Sequence, residues 1–305
     1  MLMKEGMKMK KCCIPIFFLV SLVLLLPPAC HGRDLDPIVS TEWLAANLSN
    51  PRLVMIDIRK IEDYQEGHIP GAVSGYYGMW TCGDADKHAE FPRSDDLFDC
   101  VGDLGIRADS LVVIVCKTYT CFYQIMAPRV LCTLQYAGIE NVGILDGGQD
   151  KWIRENRPLS TEHVKPKKTV YRGILNKGLH VEKAFVAGRL GKATFVDTRE
   201  VQWFSGEKKQ DFVAQAGHIP GSVNLPASEA FTQSGTFKNK EELEAIAARV
   251  VGTDRSREII TYCDAGRCCP TWAFILTQVL GYKNVKLYDG SFEEWSKDPQ
   301  LPVTR

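Results

Sequence analysis

Short apolar runs alternate with longer amphipathic segments along most of the chain. Residues 111–115 (Leu-Val-Val-Ile-Val) are apolar at every position, which is typical of a strand covered on both faces of a parallel sheet. Helical patterns lie between such runs, for example one that opens at Ser40 or Thr41 as an N-cap and one from Glu241. This alternation predicts an α/β fold in which mainly parallel sheets are flanked by helices on both faces.

Four landmarks occur twice in the same order, roughly one domain length apart. They are an Asp-x-Arg strand end, a Gly-His-Ile-Pro-Gly turn, a strand that ends in cysteine and a late Asp-Gly turn before tryptophan. In the first half these landmarks lie, in that order, at 55–59, 66–73, 111–116 and 141–152. In the second half they lie at 195–199, 216–223, 258–263 and 284–295. The repeat predicts two tandem domains, 33–160 and 170–305. A polar, proline-bearing linker, 161–169, joins them.

The first 32 residues differ from the rest, because a basic start precedes thirteen mostly apolar residues from Ile14 to Leu26. A membrane-spanning helix needs about 20 such residues, so the segment is predicted to be an export signal. Two ways of processing fit equally well: lipidation of Cys30 after cleavage before it, or ordinary cleavage after Gly32. The expected location is the bacterial periplasm or cell envelope, with or without a lipid anchor at Cys30.

The charge balance argues against a polyanionic partner. The 37 basic and 37 acidic residues cancel, so there is no broad field to attract nucleic acid. Eight of the eleven cysteines lie beyond the signal, and their spacing does not form a small disulfide framework. Pairing of Cys82 with Cys100 stays open.

The second half carries the strongest chemical signal. Cys263 ends an apolar strand, and Pro270 marks the first turn of a helix soon after it. In open α/β sheets, binding sites form at the carboxyl ends of strands. A thiol between a strand end and a helix N-terminus faces unpaired backbone N–H groups, which favour the thiolate. We therefore expect Cys263 to be an ionised nucleophile that is open to solvent.

Together the four landmarks resemble the rhodanese family of sulfurtransferases, over essentially the whole chain after the signal. The resemblance implies that a loop cysteine takes a sulfane sulfur from a small donor such as thiosulfate or 3-mercaptopyruvate. It then passes this sulfur to a thiol or cyanide-like acceptor. No cofactor is needed, and no His/Cys spacing in the sequence matches a metal site.

The resemblance places the nucleophile first in a six-residue loop, with one further cysteine after the loop: Cys263, Asp264, Ala265, Gly266, Arg267, Cys268 and then Cys269. Gly266 matches the family's usual glycine, whereas Asp264 and Cys268 depart from its common residues. Arg267 is the only cation of the loop and the best candidate for holding an anionic donor. Trp203 stands where some thiosulfate-using relatives have an arginine, which argues against thiosulfate as the preferred donor.

Two rival functions follow from the same loop. Cys268 or Cys269 could attack a sulfur species on Cys263, which would make the chain a thiol-disulfide or persulfide redox protein. A non-catalytic sulfur carrier or partner-binding module is the other alternative. A cysteine phosphatase is disfavoured, because Cys269 stands where such enzymes carry their phosphate-binding arginine.

The first half is predicted to be a non-catalytic domain, although Cys116 ends the strand equivalent to that of Cys263. A disulfide between Cys116 and Cys121 stays open.

The histidines of the two Gly-His-Ile-Pro-Gly turns, His68 and His218, are predicted to bond the backbone rather than act as bases. Each Asp-x-Arg, 57–59 and 197–199, is predicted to form a buried ion pair, and Asp197 and Arg199 are expected to support the loop. Trp152 and Trp295 are predicted to be core residues.

Overall fold

The computed structural model describes residues 33–83 and 87–305. The predicted export signal, 1–32, including Cys30, lies outside the described residues. Within the part of the chain that is described, no helix combines the length and the apolar character that a membrane crossing requires.

The first half is built on a five-stranded sheet of order β1-β5-β4-β2-β3, in which every pair is parallel. Its strands are β1 (Ile38–Val39), β2 (Leu53–Asp57), β3 (Val73–Ser74), β4 (Leu111–Val115) and β5 (Val142–Leu145). Its helices are α1 (Thr41–Asn47), α2 (Ile61–Glu66), α3 (Ser94–Asp103), α4 (Cys121–Gln124), α5 (Met126–Tyr136) and α6 (Gly148–Arg154), with a 3-10 turn at Tyr77–Trp80.

The second half repeats this arrangement in a parallel sheet of order β6-β10-β9-β7-β8. Its strands are β6 (His180–Val181), β7 (Thr194–Asp197), β8 (Val223–Asn224), β9 (Ile259–Tyr262) and β10 (Val285–Tyr288). Its helices are α7 (Lys183–Ala187), α8 (Val201–Phe204), α9 (Lys240–Val251), α10 (Cys269–Phe274) and α11 (Ser291–Ser296), with a 3-10 turn at Ala227–Ala230 and a π-helical continuation of α10 at Ile275–Val279. The predicted fold class and duplication are confirmed.

The sheets are buried because their strands are apolar on both faces. All five residues of β4 and all four of β9 are buried. One apolar cluster runs through both halves, where α5 packs against α10. Two smaller clusters cover the outer faces of the sheets and contain Trp152 and Trp295, both 0% exposed as predicted.

The strand register brings the Asp-x-Arg turn of the second half close to Cys263. Asp197 at the end of β7 pairs with Tyr262 at the end of β9. The residues that follow them, the Asp-x-Arg turn and Cys263, therefore leave the sheet side by side.

The predicted linker falls in a stretch between α6 and β6 without helix or strand. Thr169 N donates to Gly102 O at 2.9 Å, and Asn176 N donates to Tyr136 O at 2.8 Å. Residues 169–176 thus run along the first half before β6 enters the second sheet.

Candidate active site

The Cys263 loop spans the gap between β9 and α10. Cys263 directly follows the strand, and α10 begins at Cys269 with Pro270 in its first turn, as the sequence indicates. Gly266 turns the loop with φ +73°, a left-handed conformation that favours glycine. A Cβ at Gly266 would stand 2.5 Å from Asp289 Oδ1 and 2.8 Å from Asp289 O. The glycine is required by both its φ angle and the space around it.

A buried arginine of the first half anchors this loop. Arg129, on α5, is 0% exposed, and its guanidinium donates to Gly266 O at 3.0 Å and to Ala89 O at 2.9 Å. It also pairs with Asp289, the aspartate of the late Asp-Gly-Ser turn, and stacks on Phe91. One side chain of the first half therefore fixes two segments of the second.

Ser291 holds the loop through hydrogen bonds to its backbone. Its hydroxyl accepts from Cys263 N at 3.1 Å and from Gly266 N at 3.2 Å, and donates to Tyr288 O at 2.8 Å. Ser291 has φ +54°, which is uncommon for a residue with a side chain. Such a conformation persists where other contacts hold it, and here the three hydrogen bonds of the hydroxyl do so.

The surroundings of Cys263 favour its thiolate. Burial raises the pKa of this thiol, but hydrogen bonds from the side chains and backbone N–H groups of Cys268 and Cys269 outweigh it and lower the pKa well below its usual value. The backbone donors belong to the start of α10, where N–H groups lack partners within the helix. The loop can therefore hold negative charge on the Cys263 sulfur.

The expectation that Cys263 is open to solvent is wrong, because the residue is only 1% exposed. It lines a cavity of about 480 Å³ to which both halves contribute. The first half supplies His88, Cys121, Phe122 and Ile125; the second supplies Thr198, Arg199, Glu200, Trp203, Gln210, Phe212, Ala227 and five residues of the loop (Cys263, Asp264, Ala265, Arg267 and Cys268). Cys263 therefore borders this cavity rather than an open surface.

The ion pairs of the cavity differ from the simple Asp-x-Arg pair expected. Arg199 is 3% exposed and bonds Asp197 through Nε and Nη2, as predicted, but its Nη1 also donates to Asp264 Oδ1 at 3.0 Å. Burial raises the pKa of Asp264 to about 6, against the opposing effect of Arg199. Arg199 is thus shared between two carboxylates, which leaves Arg267, exposed at the cavity, as the loop's cation for a ligand.

Aromatic side chains form much of the cavity wall. Trp203 lines the cavity, at the position where some thiosulfate-using relatives have an arginine. His88 of the first half stacks on Phe212 at 4.3 Å between ring centroids, and His88 Nδ1 lies 2.7 Å from Glu293 Oε1. Sequence reasoning missed His88, Phe122 and Phe212, because only tertiary packing brings these distant residues to the loop.

The two extra thiols of the loop have different environments. Cys268 lies partly exposed in the cavity, and its Sγ lies 3.3 Å from Thr198 Oγ1. Its hydrogen bond to Cys263 and its burial raise the pKa of Cys268 well above its usual value. Cys269 is 0% exposed beside Ser291, and burial raises its pKa as well.

The equivalent thiol of the first half has a different environment. Cys116 is 3% exposed in the apolar core, and burial raises its pKa. Among the described residues no disulfide joins Cys116 to Cys121 or Cys82 to Cys100, so neither pairing left open by the sequence is formed.

The two turn histidines bond backbone oxygens, as predicted. His68 Nδ1 lies 2.8 Å from Tyr64 O, and His218 Nδ1 lies 2.8 Å from Phe204 O. Each ring also stacks on the aromatic residue whose carbonyl it contacts. In the described ranges, no cluster of three or more His, Cys, Asp or Glu side chains could hold a metal ion.

Comparison with known proteins identifies the two halves. The family model for the rhodanese-like domain matches residues 40–155 and 183–298. A putative thiosulfate sulfurtransferase of Mycolicibacterium smegmatis is 33% identical, over 88% of this chain and 97% of that protein. The sulfur carrier protein TtuD of Thermus thermophilus is 31% identical, over the same shares of the two chains.

Solved structures share the fold. SseA from Escherichia coli, described as a 3-mercaptopyruvate sulfurtransferase, matches with a TM-score of 0.72 and 26% identity, over 84% of this chain and 98% of its own. The anaerobic ergothioneine biosynthesis enzyme of Chlorobium limicola matches with a TM-score of 0.75 over 88% of this chain and 69% of its own. At 22% identity the second likeness shows the fold alone.

Proposed function

This chain belongs to the rhodanese family of sulfurtransferases, and from that premise we propose that Cys263 is its nucleophile and carries the transferred sulfur as a persulfide. The observation that carries the assignment is the place of Cys263 between the end of β9 and the start of α10, where it lines the cavity. Hydrogen bonds there lower the pKa of its thiol, which agrees with this role. Thiolate is the reactive form of cysteine. The cavity at Cys263 gives a donor and an acceptor successive access to the same sulfur.

The reaction has two halves. In the first, the Cys263 thiolate attacks the outer sulfur of the donor, the bond between that sulfur and the rest of the donor breaks, and the bonding electrons leave with the donor remnant. In the second, an acceptor such as a thiolate or cyanide attacks the outer sulfur of the persulfide, and Cys263 leaves as thiolate. The same N–H groups that stabilise the thiolate then stabilise the anionic persulfide.

We propose a monoanionic organic donor of the 3-mercaptopyruvate type in preference to thiosulfate. Arg267 is the loop cation at the cavity, and its planar guanidinium suits a carboxylate. Asp264 adds negative charge beside the nucleophile, and Trp203 offers an apolar wall where a second cation would favour a dianion. These features disfavour a compact dianion more than a singly charged donor with an organic body.

A sulfur-carrying function toward a protein acceptor is the second candidate. It is supported by the likeness to TtuD, which is named as a sulfur carrier. Turnover separates the candidates: a transferase releases sulfide or thiocyanate repeatedly when it is given donor and small acceptor. A carrier takes up one sulfur and retains it until the protein acceptor is supplied.

The test is donor-dependent loading and turnover in variants of the two equivalent thiols. We expect Cys263→Ser to abolish both the gain of one sulfur atom by intact mass and the release of thiocyanate from cyanide. Cys116→Ser, at the matching strand end of the first half, is the control and should retain both. Sulfur uptake by Cys263→Ser at the wild-type level would contradict the assignment.

We propose further that the protein is exported to the bacterial periplasm or cell envelope. The basic start and the apolar run Ile14–Leu26 support export, and Cys30 supports a lipid anchor. Membrane fractionation of the wild type and of Cys30→Ser tests the anchor. Membrane association that is lost in Cys30→Ser supports it, whereas an unchanged soluble protein in both cases favours cleavage after Gly32.

A further inference from the structure

Cys268 is placed to act on the sulfur that Cys263 carries. Both residues line the same cavity, and the Cys268 side chain helps to lower the pKa of the Cys263 thiol. Thr198 holds Cys268 from the other side, through its hydroxyl at 3.3 Å and its carbonyl oxygen at 3.7 Å from Sγ. Contacts from outside the loop therefore fix the place of the second thiol at the cavity that Cys263 lines.

We propose that Cys268 resolves the Cys263 persulfide within the chain, releasing hydrosulfide and forming a Cys263–Cys268 disulfide. The inference rests on the proposed function, since it needs a persulfide on Cys263. It gives the enzyme a route to sulfide that requires no small thiol acceptor to enter the cavity.

The step balances without an external oxidant. Cys268 sulfur attacks the Cys263 sulfur, the Cys263–sulfane bond breaks, and the outer sulfur leaves with the bonding electrons. The Cys268 thiol proton goes to this leaving group, so a persulfide anion and a thiol become a disulfide and hydrosulfide. The sulfane sulfur is reduced, and the two cysteines are oxidised. A dithiol reductant then restores both thiols, and is itself oxidised to a disulfide.

The geometry favours Cys268 over Cys269 in this role. Both thiols help to lower the pKa of Cys263, but Cys269 is 0% exposed and does not line the cavity. Cys268 lines the cavity wall, so a reductant that enters the cavity meets the disulfide on the side of Cys268.

The test follows a loaded protein in the absence of acceptor. The full mature chain is loaded anaerobically with donor, freed of excess donor, sampled over time into acid and alkylating agent, and analysed by intact mass and peptide mapping. Free sulfide is measured in parallel. We compare the wild type with Cys268→Ser, which keeps a hydroxyl donor toward Cys263, and with Cys269→Ser as the matched loss of a loop thiol.

We expect the wild type to lose its added sulfur while about one equivalent of sulfide appears. The peptides that contain Cys263 and Cys268 should become linked by a disulfide. Cys269→Ser should behave likewise, whereas Cys268→Ser should keep its persulfide and release sulfide at least about tenfold more slowly. A wild-type persulfide as long-lived as that of Cys268→Ser, or sulfur mapped onto Cys268, would overturn the proposal. Failure of the wild type to load at all would overturn the proposed function together with it.

Discussion

Arg129 links the first half to the Cys263 loop, and its removal should destabilise the protein. In Arg129→Met the carboxylate of Asp289, 2% exposed, loses its cationic partner and keeps the Phe91 N–H at 2.7 Å. Breaking a buried ion pair by removing one partner costs about 3–5 kcal/mol. We expect the free energy of unfolding to fall by that amount. Gly266 O also loses its guanidinium donor, so the loop should lose its set geometry.

Two measurements check this expectation. Urea unfolding gives the change in stability, and kcat/KM with a fixed donor at a temperature where the variant stays folded gives the effect on the loop. Small misplacements of reacting groups cost up to about a hundredfold in rate, so a drop of at least about tenfold is expected. The control is Arg52→Met, which removes an exposed arginine whose partner is Asp34. Its free energy of unfolding should change by no more than about 1 kcal/mol, and its kcat/KM should not change.

A double variant isolates the ion pair itself. Arg129→Met combined with Asp289→Asn leaves a neutral amide that still accepts from Phe91 N. We expect it to be about 2 kcal/mol more stable than the sum of the single variants predicts, because the unpaired buried charge is gone. Additive effects, or a cost for Arg129→Met no larger than that for Arg52→Met, would refute the view that this pair supports the loop.

Three further outcomes follow from the loop and the cavity. Gly266→Ala should lose about 1–3 kcal/mol of stability in urea unfolding together with most activity, because its φ of +73° and the nearby Asp289 atoms leave no place for a Cβ; normal stability and activity would contradict this. Asp264 has its pKa raised to about 6 by burial, so it is neutral below that pH and repels an anionic donor above it. The kcat/KM for thiosulfate should therefore fall as pH rises through about 6 relative to Asp264→Asn, and parallel pH profiles of the two proteins would exclude the effect. Trp203→Arg should lower the KM for thiosulfate by about tenfold, whereas an unchanged KM would show that position 203 does not contact the donor.

The local part of this architecture could be predicted from the sequence. The strands, the duplication and the place of Cys263 depend on hydrophobic pattern and on short motifs whose parts are adjacent in the chain. The bond between Arg199 and Asp197 is likewise local, since the two residues are separated by one position. The same holds for the helix that starts with Ser40 as its N-cap.

The rest of the site depends on contacts between distant segments. Arg129 reaches Gly266 across 137 positions, and His88 reaches Glu293 across 205. The expected exposure of Cys263 was wrong for this reason, because residues distant in the chain surround the thiol and the cavity that it lines. Ser291 carried one usable signal, since the Asp-Gly-Ser turn differs from the Asp-Gly-Gly turn of the first half at that position.

The difference between these two turns explains why only the Cys263 loop is organised around a serine hydroxyl. In both halves the cysteine carbonyl accepts a backbone N–H of the late turn at 2.9 Å, from Gln149 to Cys116 O and from Phe292 to Cys263 O. The position of Ser291 is held in the first half by Gly148, where a Cβ would stand 2.2 Å from Cys116 O. No hydroxyl can occupy that place, so the Cys116 loop lacks the acceptor that organises the Cys263 loop. The first half instead contributes Arg129, which anchors the Cys263 loop, and part of the cavity wall.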